Sequence, residues 1–203
     1  MLLHRITEFG NSAVLFLLGL LLALWLYQRS GRRAALAWSL ALLACTGTIA
    51  ALKLYFLGCP LPHLGLRSPS GHAGFSTFVY GGVTLCVAQD PQPWRRRLLS
   101  LVGCAWIAVI AWSRYAVHAH TPIEILCGLA IGCVFLLLFV RSAGTLPHQR
   151  FPFAAAVLLI FACTLAFYLL DWRLNFEHWL RLLGRHYVRD TGLCWTGVQG
   201  NAS

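Results

Sequence analysis

Six stretches of almost uninterrupted apolar sequence, approximately Ser12–Gln28, Ala34–Leu57, Ala73–Gln89, Leu98–Trp112, Ile123–Val140 and Phe153–Leu170, constrain this chain more than any other feature. At a rise of 1.5 Å per residue, a helix of about 17–24 residues covers about 25–36 Å, enough for a hydrocarbon core of roughly 30 Å. Lipid offers the backbone no hydrogen-bond partner, and the blocks are too long and too continuously apolar for tilted barrel strands, so helix is the conformation left. Composition agrees: 59% of residues are hydrophobic and 11% charged, with a mean hydropathy of +0.70, against about 45–50% and about 25% in soluble chains. The expected fold is all-α, a polytopic six-transmembrane-helix bundle.

The sequence holds no internal repeat or low-complexity linker, so residues 1–203 read as a single membrane domain. The first block follows His4 and Arg5 but is longer than a signal-peptide core and lacks a small-x-small site after it, which makes it a span. In the tail, 171–203, the segment Trp172–Leu183 sets Leu, Phe and Trp among Arg, Asn and Glu as an interfacial helix does. Trp25, Trp38, Trp94, Trp112 and Trp172 fall near block ends, where an indole is expected at headgroup depth.

The net charge of +10 suits nucleic acid, an anionic membrane surface or an anionic substrate. Nucleic acid is set aside because most arginines lie in short connections, where membrane topology accounts for them. Arg29, Arg32, Arg33, Arg95, Arg96, Arg97, Arg141 and Arg150 share one side, against Arg5, Arg173, Arg181, Arg185 and Arg189 on the other. By the positive-inside rule the first side is cytoplasmic. Both termini, the Gly58–Gly71 connection and the Ser113–Thr121 connection then face outward, in a bacterium the periplasm. Of eight cysteines, Cys45, Cys86, Cys104, Cys127, Cys133 and Cys163 lie inside blocks without metal-type spacing and read as small packing residues. Cys59 and Cys194 lie outside the blocks and can pair if both face an oxidising compartment.

Both outward connections are rich in groups suited to phosphate. Pro69-Ser70-Gly71-His72 precedes the third block, so Ser70 is a natural N-cap, and the amides of Gly71, His72 and Ala73 are first-turn donors able to hold an anion. Ordinary capping followed by an exposed histidine is the plainer alternative. Arg114, closing the fourth block, can fork onto two phosphate oxygens or simply snorkel to the interface. His120-Thr121-Pro122-Ile123-Glu124 opens the fifth block as a capping box with proline at the first helical position. Capping alone could explain Glu124. Its carboxylate can also reach the His120 ring, fix the tautomer and leave one imidazole nitrogen as a nucleophile. Lys53, the chain's one lysine, is a charge near the outer end of a span, either functional or snorkelling.

Together these residues resemble the type 2 phosphatidic acid phosphatase superfamily, whose signatures are K-x6-R-P, P-S-G-H and S-R-x5-H-x3-D. The second is matched in full by Pro69-Ser70-Gly71-His72. The third is matched by Ser113, Arg114 and His120, with Glu124 in place of aspartate, and its spacing selects His120 rather than His118. Of the first, Lys53 is present while Pro60 and Leu61 occupy the Arg-Pro positions; Arg67 is a candidate for the missing charge. The resemblance implies a phosphatase in which His120 attacks phosphorus to form a phosphohistidine, oriented by Glu124, and His72 protonates the leaving oxygen. Lys53, Ser70, Gly71 and Arg114 would hold the phosphoryl oxygens. It implies no metal and no cofactor, in keeping with a reaction that chiefly needs positioning and charge stabilisation.

The expected protein is therefore a bacterial inner-membrane lipid phosphatase with its site facing the periplasm. Its partners are membrane lipids and a lipid phosphate substrate, with undecaprenyl diphosphate, phosphatidylglycerol phosphate, phosphatidic acid and lipid A phosphates as candidates. A lipid phosphotransferase using the same histidine, and a non-catalytic transporter or scaffold that binds lipid phosphate, are the rival readings. Gly128 and Gly132, four residues apart, read as a close-packing pair.

Overall fold

The computed structural model describes residues 9–59, 66–89 and 92–144, with 157, 158 and 161 beyond them. Five helices lie among these residues: α1 Ser12–Ser30, α2 Arg32–Gly58, α3 Gly71–Val87, α4 Pro93–Ala116 and α5 Pro122–Ala143. Each overlies one predicted block. The sixth block, Phe153–Leu170, lies outside the described residues but for those last three positions, and so does the tail segment Trp172–Leu183.

Local chemistry sets the helix ends. Asn11 caps α1 by accepting from the Ala13 amide at 2.9 Å, and Gly31, at φ 83°, forms the single-residue joint to α2. Ser70 caps α3. Pro93 and Pro122 start α4 and α5, where a missing N–H costs nothing. Gly144, at φ 76°, ends α5.

Helices α1, α4 and α5, with Arg32–Phe56 of α2, are long and apolar enough to cross a membrane. At 17 residues, α3 is about 25 Å long and the most enclosed, packing on α5 and α4 and also on α1 and α2. Close approach to α5 depends on glycine. A Cβ on Gly128 would run into the Ser70 carbonyl, one on Gly132 into the Gly74 carbonyl, and one on Gly74 would lie 2.9 Å from the Gly128 carbonyl. The predicted Gly128–Gly132 packing pair thus meets a third glycine across the interface.

The interior is filled by Leu15, Leu22, Trp38, Phe78 and Phe139, while Leu40, Leu101, Trp112, Leu126 and Leu137 are more than half exposed on the outside. An outer face as oily as the core belongs in lipid, and the chain is a helical membrane protein. One expectation needs correction. Trp25 and Trp38 are buried rather than interfacial. Trp38 stacks on Phe78 at 4.4 Å, meets Phe139 edge-on at 5.0 Å, and donates its indole N–H to the Gly19 carbonyl at 2.8 Å. With its one polar atom satisfied inside the bundle, it has no need of the headgroup layer. Among the cysteines read as packing residues, Cys45 and Cys86 are buried, Cys104 and Cys133 face outward, and Cys127 is half-buried. Cys59 is disulfide-bonded, and Cys194 lies outside the described residues.

Candidate active site

The C-terminal end of α2, the start of α3, the end of α4 and the start of α5 meet at one end of the bundle, and each delivers part of one site. From α2, Lys53 lies over the first turn of α3: it is only 8% exposed, and a Cβ placed on Gly71 would stand 3.3 Å from its Cε and 3.7 Å from its Nζ. The ammonium and the positive end of the α3 dipole thus converge on the same point. Ser70, fully buried, caps that turn by accepting from the Ala73 amide at 3.4 Å.

The end of α4 explains why five residues separate Arg114 from His120. The Ala119 amide donates to the Arg114 carbonyl at 3.1 Å and the His118 amide to the Tyr115 carbonyl at 2.9 Å. His118 takes the left-handed conformation, φ 55°. This is a Schellman closure with histidine where glycine is usual. The His120 amide also reaches the Arg114 carbonyl, at 3.3 Å, so the turn folds His120 back toward Arg114. His118 is spent on this turn and exposed, consistent with the spacing that selected His120.

Glu124 joins the halves of the site. Its Oε2 accepts from His120 Nδ1 at 2.9 Å and from the Thr121 amide at 3.1 Å, while Thr121 Oγ1 accepts from the Glu124 amide, completing the predicted capping box. Its Oε1 accepts from the backbone amides of Arg67 at 2.8 Å and Ser68 at 2.9 Å. Its backbone carbonyl accepts from the Ser70 amide, also at 2.9 Å. One residue therefore orients the histidine and anchors the strand of chain leading into Ser70-Gly71-His72.

The His120 and Glu124 side chains are 7% and 6% exposed, so their contact is nearly dry. Burial holds the His120 imidazole below its ordinary pKa; the Glu124 hydrogen bond opposes this, and Lys53 and Arg114 push the same way as burial. The ring is therefore neutral at neutral pH. With Nδ1–H committed to the carboxylate, Nε2 is the nitrogen with a lone pair to offer. His72 lies within electrostatic reach of Arg114, Lys53 and His120.

The structure thus brings together His120, Glu124, His72, Lys53, Ser70, Gly71 and Arg114. Arg67 contributes through its backbone, and its side chain is exposed. Sequence reasoning missed Ser68, which acts only through an amide that any residue carries. It also missed Gly10, where a Cβ would run into the His72 ring.

A histidine held neutral by burial, steered by a carboxylate and faced by two cations and a capped helix start, is an arrangement suited to an anionic group. The class this end of the bundle suggests is a membrane protein of phosphatase type. Comparison with known proteins leads to the same place. Residues 53–148 match the model of the PAP2 superfamily. An uncharacterised 22.5 kDa protein in the cps region of Klebsiella pneumoniae is 30% identical over 149 residues, 71% of each chain. The chain belongs to the PAP2 superfamily. No solved structure matches it.

Proposed function

We propose that the protein is an integral-membrane lipid phosphatase that removes phosphate from a lipid phosphomonoester or diphosphate through a phosphohistidine on His120. The observation that carries this reading is the 2.9 Å contact between His120 Nδ1 and Glu124 Oε2, buried beside Lys53 and Arg114. The carboxylate stabilises the cation that the ring becomes on attack, and the two cations offset the phosphoryl charge.

In the first half-reaction the Nε2 lone pair forms a bond to phosphorus as the bond to the leaving oxygen breaks, and His72 relays the proton of the entering phosphate monoanion to that oxygen. In the second, His72 takes a proton from water, whose oxygen displaces His120 and releases inorganic phosphate. Lys53, Arg114 and the amides following Ser70 hold the phosphoryl oxygens throughout. The site lies at helix ends beside an outward face made of leucine and tryptophan, which supports a lipid-borne substrate whose headgroup alone enters the pocket. An inner-membrane location with the site in the periplasm fits the arginine distribution and the Cys59 disulfide.

The test is phosphate release by detergent-purified protein over a panel of lipid phosphates. His120→Ala is expected to lose at least about a hundredfold in turnover, since the nucleophile carries the mechanism. Equal release by both proteins would sink the reading. Phosphorylated acceptor in place of free phosphate would turn the enzyme into a phosphotransferase.

A further inference from the structure

The residues just ahead of α1 reach across to the active site. Gly10 is buried, and a Cβ built on it would stand 2.9 Å from His72 Cδ2, 3.3 Å from His72 Cβ and 3.1 Å from Ile110 Cγ2. The turn therefore leaves less than a methyl group's room beside the imidazole edge carrying Cδ2, the carbon bonded to Nε2. Three tethers keep it there. The Tyr80 hydroxyl, from α3, donates to the Phe9 carbonyl at 2.9 Å. The Phe9 ring meets Trp106 of α4 edge-on at 5.4 Å, and Tyr80 in turn meets Trp106 at 6.3 Å. On the other side Asn11 caps α1. The turn is thus pinned to α1, α3 and α4 at once, with glycine at the one position where no side chain fits between backbone and His72.

We propose that the Phe9–Asn11 turn is the positioning element for His72, and that Gly10 sets where the ring presents its proton to the leaving oxygen. This rests on the phosphatase reading, in which His72 is the acid. A larger residue at Gly10 forces a shift, because a gap of 2.9 Å is shorter than carbon atoms tolerate, and with the turn tethered to three helices the ring is the part expected to yield. General acid catalysis contributes about a hundredfold to ten-thousandfold, and a displacement of about 1 Å forfeits a good part of it. Gly10 itself touches no reacting atom.

Leaving-group dependence separates this role from a merely structural one. Nitrophenolate departs without a proton, whereas an alkoxide needs one. Turnover of nitrophenyl phosphate and of dodecyl phosphate is measured with the full-length protein in detergent. For Gly10→Ala the nitrophenyl-to-dodecyl rate ratio is expected to rise about tenfold, and for Tyr80→Phe, which keeps the ring but frees the Phe9 carbonyl, by a smaller factor. In a His72→Ala background, Gly10→Ala should add less than about twofold to the ratio, since the two changes act on one step. An unchanged ratio in both single variants, or equal slowing of the two substrates, overturns the proposal, as does a further rise in the His72→Ala background. Full turnover by His120→Ala would instead defeat the phosphatase reading itself.

Discussion

Glutamate at position 124, where the family pattern has aspartate, is accounted for by what its two oxygens do. One reaches His120 and Thr121, the other Arg67 and Ser68. A side chain one methylene shorter, by about 1.5 Å, cannot hold both sets from the same backbone position. Glu124→Asp is therefore expected to release the Arg67–Ser68 amides and to lower stability by about 1–3 kcal/mol, the cost of leaving buried donors unpaired. Turnover should fall about tenfold or more as His72 loses its anchored approach; thermal unfolding and kinetics on one preparation check both. Glu124→Gln acts differently. The carboxylate raises the His120 pKa, against burial and the two cations that lower it, so removing its charge lowers that pKa further. The acid limb of kcat/KM for nitrophenyl phosphate should then move to lower pH than in the parent, while the plateau falls because the imidazolium formed on attack has lost its counter-ion. A limb that moves upward would contradict this electrostatic account.

At the scale of elements, the site exists because α3 and α5 approach closely enough for Glu124 to bond the chain leading into α3. Gly128→Val puts a branched side chain against the Ser70 carbonyl and the Gly74 amide. It is expected to cost about 1–3 kcal/mol through overpacking and to reduce turnover even though no catalytic group is altered. Gly47→Val, at a site in α2 with open space around the Cα, serves as the comparison and should retain turnover; equal loss in both would point to lipid-embedded valine rather than helix spacing. Much of this architecture was legible in the chain. Five blocks became helices because a backbone in lipid has no other way to satisfy itself, and the ends at Ser70 and Thr121 were written in capping chemistry. What escaped notice was tertiary. The Ser68 amide has no residue signature, Gly10 matters only because His72 folds against it, and Trp38 resembled an anchor until Gly19 and Phe78 enclosed it. His118 at the end of α4 was unreadable for a related reason, since a left-handed cap is usually announced by glycine.

For the molecule as a whole, the two ends of the bundle carry different chemistry. Arg29, Arg32, Arg33, Arg95, Arg96, Arg97 and Arg141 lie at the ends of α1, α2, α4 and α5 remote from the site, and Arg33 Nε donates to the Ser142 carbonyl at 3.1 Å, tying two of those ends together. The site end carries Lys53, Arg67 and Arg114 together with the disulfide-bonded Cys59. Two independent physical rules thus favour one orientation: arginine-rich connections stay in the cytoplasm, and disulfides persist in an oxidising compartment. Alkaline phosphatase, active only where its own disulfides form, is expected to be inactive when fused after Arg97 or Arg150 and active when fused within the 58–71 connection. Activity at Arg97 would place the Lys53–Arg114 end of the bundle in the cytoplasm, and the Cys59 disulfide would then stand in a compartment that reduces it. On the proposed lipid-phosphatase function the same fusions bear on the substrate, because a pocket at helix ends can receive headgroups only from the leaflet it opens onto.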